Sequence, residues 1–261
     1  MTAQPWTPIR RVAGGDLNEA WEAEIAGRRV FVKTRHGAHP DEFAVEAQNL
    51  RWLSEAQALQ VPGVVLAGSG FLALEWVEQG ALDAAGEEEL GRGLAALHAS
   101  GAAAFGAGVA MHLGRLVLAS DPLPDWPDFY AQRRLEPLAH HAGRAVQRVI
   151  DRIDALAGPP EPPARLHGDL WSGNVMAAAD GRPWLIDPVA SGGHREVDLA
   201  MLELFGPRRP RVWAAYQEVA PLADGWEERI ALWQLFPLLV HAELFGGGYG
   251  AAAERAASGL V

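Results

Sequence analysis

Cysteine is absent from the 261-residue chain. That excludes disulfides, thiol redox switches and cysteine-ligated zinc or iron–sulfur centres. Lysine is almost absent: among 22 lysines and arginines, Lys33 is the single lysine. Positive charge as a whole is scarce. Against 33 acidic residues the formal net charge is −11, which argues against a nucleic-acid backbone as partner. Long apolar runs are missing too. The most apolar stretch, Ile230 to Phe245, carries Gln234, Pro237, His241 and Glu243 and is too short and too polar to span a bilayer. The N-terminal Met-Thr-Ala-Gln-Pro-Trp has neither a basic start nor an apolar run, so it does not read as a signal peptide. The expectation is a soluble, cytoplasmic protein with no nucleic-acid and no membrane partner.

What is present is ordinary globular material, 49% hydrophobic and 21% charged, enough for one large or two small domains. No internal repeat is visible. Residues 6–35 read as three short strands joined by tight turns, and residues 40–59 as a helix with Phe43, Glu46, Leu50 and Leu53 at helical spacing. Val64–Ala67 and Phe71–Trp76 read as two further strands. The expectation is an α+β chain in two lobes. Residues 1–78 form a small antiparallel-sheet lobe with one helix, and 79–261 a larger, mostly helical lobe. Helices are expected at Glu87–Ala99, Trp126–Leu138, Ala142–Leu156 and near 194–205, 209–220 and 225–246, with a glycine- and proline-rich loop over 100–127.

Lys33 lies in Arg28-Arg29-Val30-Phe31-Val32-Lys33-Thr34, an alternating strand pattern behind an Ala26-Gly27 turn. Upstream is the glycine turn Gly14-Gly15. A chain that uses arginine elsewhere and keeps one strand lysine points to a site that needs a compact ammonium. Glycine turn, hairpin and lone lysine together form the front end of a kinase-like nucleotide site. Glu46 shares the apolar stripe of its helix. A carboxylate there costs several kcal/mol unless it is paired, and Lys33 is the partner one strand away.

The strongest signal is Leu166-His167-Gly168-Asp169-Leu170-Trp171-Ser172-Gly173-Asn174-Val175. Phosphoryl transfer needs a carboxylate beside the attacking hydroxyl and an oxygen ligand for Mg²⁺ close by. A loop of this length can put Asp169 at the acceptor and Asn174 at the metal. Trp184-Leu185-Ile186-Asp187-Pro188 then brings a short apolar strand ending in a second hard-oxygen ligand, Asp187. His167 reads as a loop anchor. Ser172 reads as a loop hydrogen-bonder, since no Gly-x-Ser-x-Gly elbow surrounds it.

With these residues in place the chain closely resembles the fructosamine kinase (ketosamine-3-kinase) family, within the wider group of aminoglycoside and choline kinases. The resemblance rests on His167 to Asn174, on Asp187-Pro188, on Gly193-His194-Arg195-Glu196-Val197-Asp198-Leu199-Ala200-Met201 and on Leu204-Phe205-Gly206. It runs from about Arg10 to Gly250. It implies a protein kinase-like bilobal fold, with ATP and Mg²⁺ as cofactors. Lys33 would bind the phosphates and pair with Glu46, under cover of Gly14 and Gly15. The backbone of Glu75, Trp76 and Val77 would hold adenine. Asp169 would be the catalytic base on a sugar hydroxyl, Asn174 and Asp187 would hold Mg²⁺, Trp171 would wall the sugar and Asp198 would bond the catalytic loop. The alternative for Trp171 is plain core packing.

The implied reaction is phosphorylation of the 3-hydroxyl of ketosamines: fructosamine, ribulosamine or erythrulosamine adducts of free amines or of glycated proteins. That would start deglycation, by an enzyme most simply a monomer. The short chain and bacterial-looking composition tilt the sugar toward ribulosamine or erythrulosamine. The alternatives are a kinase for another small-molecule alcohol, such as an aminoglycoside or choline, or an inactive binding module. Three departures stand out. His241 matches the first histidine of a family pattern that often continues Asn-His-Phe-Gly, but here Glu243 and Leu244 follow. The glycine turn is shorter than Gly-x-Gly-x-x-Gly. Gly168, not arginine, precedes Asp169, which implies an enzyme that needs no activation-loop phosphorylation.

Overall fold

The computed structural model describes residues 5–12 and 18–261; Gly14 and Gly15 lie outside the described residues. The N-terminal part is a five-stranded antiparallel sheet of β1 (Thr7–Val12), β2 (Glu19–Ile25), β3 (Arg28–Thr34), β4 (Val64–Gly68) and β5 (Phe71–Glu75), in the order β1-β2-β3-β5-β4. Ala26 and Gly27, both at positive φ (51° and 79°), make the tight β2–β3 turn. Strand alternation then sorts the faces. Val30, Val32 and Ala73 pack with Trp6 and Ala23 on one side. Phe31, Leu72 and Leu74 face the other, against Phe43, Ala47 and Leu50 of α1 (Glu42–Glu55). Lys33 shares parity with Phe31, so the strand aims its ammonium at α1.

The rest is mostly helical and carries the larger cores. α2 (Ala84–Ala99) starts at Asp83, whose side chain accepts from the Gly86 N–H at 2.8 Å. Leu90, Leu94 and Leu97 bury its inner face with Val212 and Tyr216. Five features differ from the sequence reading. The 100–127 loop contains a hairpin, β6 (Met111–Leu113) and β7 (Leu116–Leu118); three-residue strands carry too little alternation to be read. The helix expected over 126–138 is α3 (Trp126–Tyr130) followed by a π turn and then a 3₁₀ turn, Glu136–His141. Pro137 lacks the N–H that a continuous α-helix would need there. The helix expected over 142–156 breaks into α4 (Gly143–Ile150) and α5 (Ile153–Leu156).

After them, β8 (Ala164–Leu166), β9 (Val175–Ala177), β10 (Pro183–Leu185) and β11 (Ser191–Gly193) form two small ladders, β9 with β10 and β8 with β11. α6 (Glu196–Leu204) and α7 (Pro210–Val219) follow, and the single span expected over 225–246 is two helices, α8 (Trp226–Trp233) and α9 (Leu235–Phe245). α10 (Tyr249–Leu260) closes the chain against α9 and α4. It is the fifth difference, since its alanine-rich sequence reads as filler. No helix among the described residues is long and apolar enough to cross a membrane.

Candidate active site

The two small ladders present the chemistry-bearing loop. His167 to Trp171 leaves β8, and a 3₁₀ turn over Ser172–Asn174 leads into β9. Gly168 has φ +84°, and a Cβ there would lie 2.1 Å from the Val189 carbonyl oxygen. Only glycine fits before Asp169, which accounts for the missing arginine. His167 is fully buried and acts as the anchor expected. Its Nε2 bonds the Ile186 carbonyl at 2.9 Å, its Nδ1 takes the Asp169 N–H at 3.3 Å, and burial lowers its pKa. Asp198 accepts from the N–H groups of His167 (2.7 Å) and Gly168 (2.9 Å), and from His98 at 3.3 Å. A carboxylate gripped by backbone amides fixes the loop from beneath.

Asn174 donates its amide to the Asp169 carbonyl oxygen at 2.8 Å and to Asp169 Oδ2 at 3.0 Å. Its own Oδ1 is left as a donor atom for a cation. The Ile186 N–H bonds the Asn174 carbonyl at 3.0 Å, which brings Asp187 alongside. Asp187 adopts φ 53°, a left-handed conformation costly for a non-glycine residue and of the kind kept where geometry serves function. Asn49 of α1, a residue the sequence reading missed, donates to the Pro188 carbonyl at 3.3 Å and ties α1 to this turn.

Lys33 crosses to meet them. Its Nζ lies 3.0 Å from Asp187 Oδ1 and pairs with Glu46. Burial opposes the ammonium, but Asp187 and Glu46 outweigh it and raise the Lys33 pKa. One ammonium serves two carboxylates, so the site is short of positive charge. Burial pushes Glu46 up to about 7, with Asp187 adding to the rise. Asp169 is likewise pushed up to about 7, by burial first and then by the charge of Asp187, against the lowering bond from Asn174. A divalent cation on Asn174 Oδ1 and the Asp187 carboxylate fits this deficit and this hard-oxygen donor set.

These groups line a cleft of about 630 Å³. Lys33, Glu46, Asp169, Trp171, Asn174, Asp187 and His241 all line it, whereas Glu75, Trp76 and Val77 do not. That segment runs on from β5. Glu75 exchanges hydrogen bonds with Gly63, and Arg29 stacks 4.1 Å from the Trp76 ring centroid. No turn or loop hydrogen bond among the described residues takes the backbone of Trp76 or Val77. Trp171 is 37% exposed and therefore not core. The far wall was largely unread in the sequence. His241 donates Nδ1 to the Pro237 carbonyl at 2.7 Å and lies among Phe205, Tyr249 and Phe245, with ring centroids 4.4, 5.1 and 5.5 Å away. Burial lowers its pKa and favours the neutral ring, in which Nδ1 donates and Nε2 is the acceptor. The opposite lip is the β6–β7 hairpin, where Arg35 donates to the Gly114 carbonyl at 3.2 Å.

Most of the Gly193–Met201 block lies behind the site, although Val197 and Met201 line the cleft. Buried Glu196 accepts from Arg229 at 2.9 and 2.6 Å and from the Trp233 indole at 2.8 Å. Arg195 forks onto Glu161 at 2.7 and 2.8 Å.

Comparison with known proteins adds an independent line. The family model described as fructosamine kinase matches residues 2–261. A probable ketoamine kinase from Enterococcus faecium is 36% identical over 259 residues, covering 94% of this chain and 92% of the relative. The crystal structure of a putative fructosamine-3-kinase from Thermobifida fusca superimposes with a TM-score of 0.90 at 41% identity, over 98% of this chain and 93% of that one. The choline kinase LicA from Streptococcus pneumoniae shares the kinase-like fold, with a TM-score of 0.61 at 19% identity over 97% of this chain and 94% of the other; LicA has also been solved with AMP bound.

Proposed function

Because this chain belongs to the fructosamine kinase family, and is thus an ATP-dependent kinase acting on ketosamines, we propose that it transfers the γ-phosphoryl group of ATP to the 3-hydroxyl of a ketosamine and so initiates deglycation. The observation that carries the reading is the convergence of Lys33, Asp187, Asn174 and Asp169 in the cleft. Residues 1–78 form the nucleotide lobe, with adenine against the backbone of Trp76 and Val77, which takes no turn or loop hydrogen bond among the described residues, and with Gly14 and Gly15 as further nucleotide-binding residues. Residues 79–261 hold the acceptor. Lys33 binds phosphate oxygens, oriented by Glu46. Asn174 and Asp187 hold Mg²⁺, which when bound neutralises charge on the phosphates.

Asp169 accepts a hydrogen bond from the 3-hydroxyl and takes its proton as the oxygen–phosphorus bond forms and the bond to the ADP oxygen breaks. A carboxyl near neutrality suits a base that must be ionised yet accept a proton at physiological pH. Trp171 offers a flat face to the C–H side of the sugar, and His241 Nε2 an acceptor for a second hydroxyl. The protein acts as a cytoplasmic monomer, on an adduct that is free or protein-borne. The test is an ATP·Mg²⁺ turnover panel of ribulosamine, erythrulosamine and fructosamine adducts beside choline and an aminoglycoside, with the phosphate located by NMR. The expected result is phosphate on O3 of a ketosamine. Turnover of choline or the aminoglycoside with no ketosamine product would overturn it.

A further inference from the structure

His140 and His141 end the 3₁₀ turn Glu136–His141, and Glu243 lies near the end of α9. Their side chains meet. His141 Nε2 stands 2.7 Å and His140 Nε2 3.5 Å from the same oxygen, Glu243 Oε2, and the two imidazole rings are 4.0 Å apart. One ligand atom from each residue falls within 4.8 Å of the others. In a tetrahedral centre with bonds of about 2.0–2.1 Å, ligand atoms stand roughly 3.3 Å apart. The cluster needs little movement to reach that geometry, and His140 is largely exposed and free to turn.

We propose that His140, His141 and Glu243 form a binding site for a divalent transition-metal ion of the Zn²⁺ class. Two imidazole nitrogens and one carboxylate oxygen make a borderline donor set, unlike the hard-oxygen pair Asn174 and Asp187. A water completes the coordination on the exposed side. The site also gives a reason for Glu243, one of the two departures at the end of α9. Pro237, Val240, His241 and Leu244 turn toward the cleft, whereas Glu243 does not line it. Arg115 of the β6–β7 hairpin binds the main-chain oxygen of Glu243 at 2.7 Å and leaves the carboxylate to the histidines. An ion here staples the end of α9, just before Gly246-Gly247-Gly248, to the 3₁₀ turn, and so steadies the acceptor wall from behind.

The experiment is calorimetric titration of the full chain with Zn²⁺ in excess Mg²⁺, with thermal melts in parallel. One Zn²⁺ per chain is expected, with a rise in melting temperature. His140→Ala and Glu243→Gln should each weaken binding by more than ~10-fold, while Asp187→Asn keeps it. His140 is exposed, so His140→Ala remains informative should Glu243→Gln fail to fold. No binding at millimolar Zn²⁺, unchanged binding in His140→Ala, or loss confined to Asp187→Asn would each overturn the proposal.

Discussion

The loop from His167 to Asp187 and the block from Gly193 to Met201 are both dense in polar side chains, yet the fold treats them oppositely. In the second, each charge is matched: Glu196 accepts three hydrogen bonds from Arg229 and Trp233, and Arg195 forks onto Glu161 and caps the Ala220 and Pro221 carbonyls. In the first, Asp187 shares Lys33 with Glu46 of α1, Asp169 and that Glu46 are pushed toward neutrality, and Asp187 sits in a left-handed conformation. A closed network spends its polar groups on structure. An open one keeps donors and unbalanced charge for a ligand. Similar motif density therefore hides two different roles.

Substitutions can break that contrast. The largest effect is expected from Asp169→Asn, which keeps the shape and removes the proposed base. kcat should fall by at least ~10² while ATP affinity and melting temperature stay close to the parent. Retained turnover in steady-state kinetics would take the open role away from Asp169. The mirror experiment is Arg229→Leu, which strands the buried Glu196 carboxylate. Stability should fall by roughly 3–5 kcal/mol, or on the order of 10 °C in melting temperature, with kcat per folded molecule little changed. A variant that melts normally but loses turnover would place the closed network in the chemistry.

Asp198 sharpens the comparison most finely, because it belongs to the closed set and supports the open one. Burial raises its pKa, but the bonds from His98 and the Gly168 amide, with the charge near His167, lower it overall. A depressed carboxyl contributes stability that is complete above its unfolded pKa of about 3.9 and is lost as pH falls through the lower folded value. The melting-temperature gap between the parent and Asp198→Asn should thus be constant from pH 7 down to about 4 and shrink below that. A gap that widens on acidification would show that Asp198 is not held ionised.

Much of this was legible in the chain. The Lys33 strand parity, the α1 stripe carrying Glu46, and the Asp169, Asn174 and Asp187 spacing all follow from short-range periodicity and loop length. What was not legible has physical reasons too. The β6–β7 hairpin is too short for alternation, Pro137 diverts a helix whose apolar pattern continues, and α10 is helical because its alanines pack on α9 and α4. Tyr249 carries no motif, and nothing in the segments that hold Phe205 and Phe245 shows that they meet it; the cleft gathers all three from separate elements.

By itself the sequence determined the candidate reacting groups, because the residues of the His167–Asn174 loop lie within a few positions of one another and local backbone geometry sets their reach. Tertiary structure alone decided which charges are matched and which are left open. Lys33 meets Asp187 across 154 positions of chain, and Glu243 meets His141 across 102. Contacts so distant depend on how the sheet and helices pack, and burial, which sets the cost of an unmatched charge, exists only once they have packed.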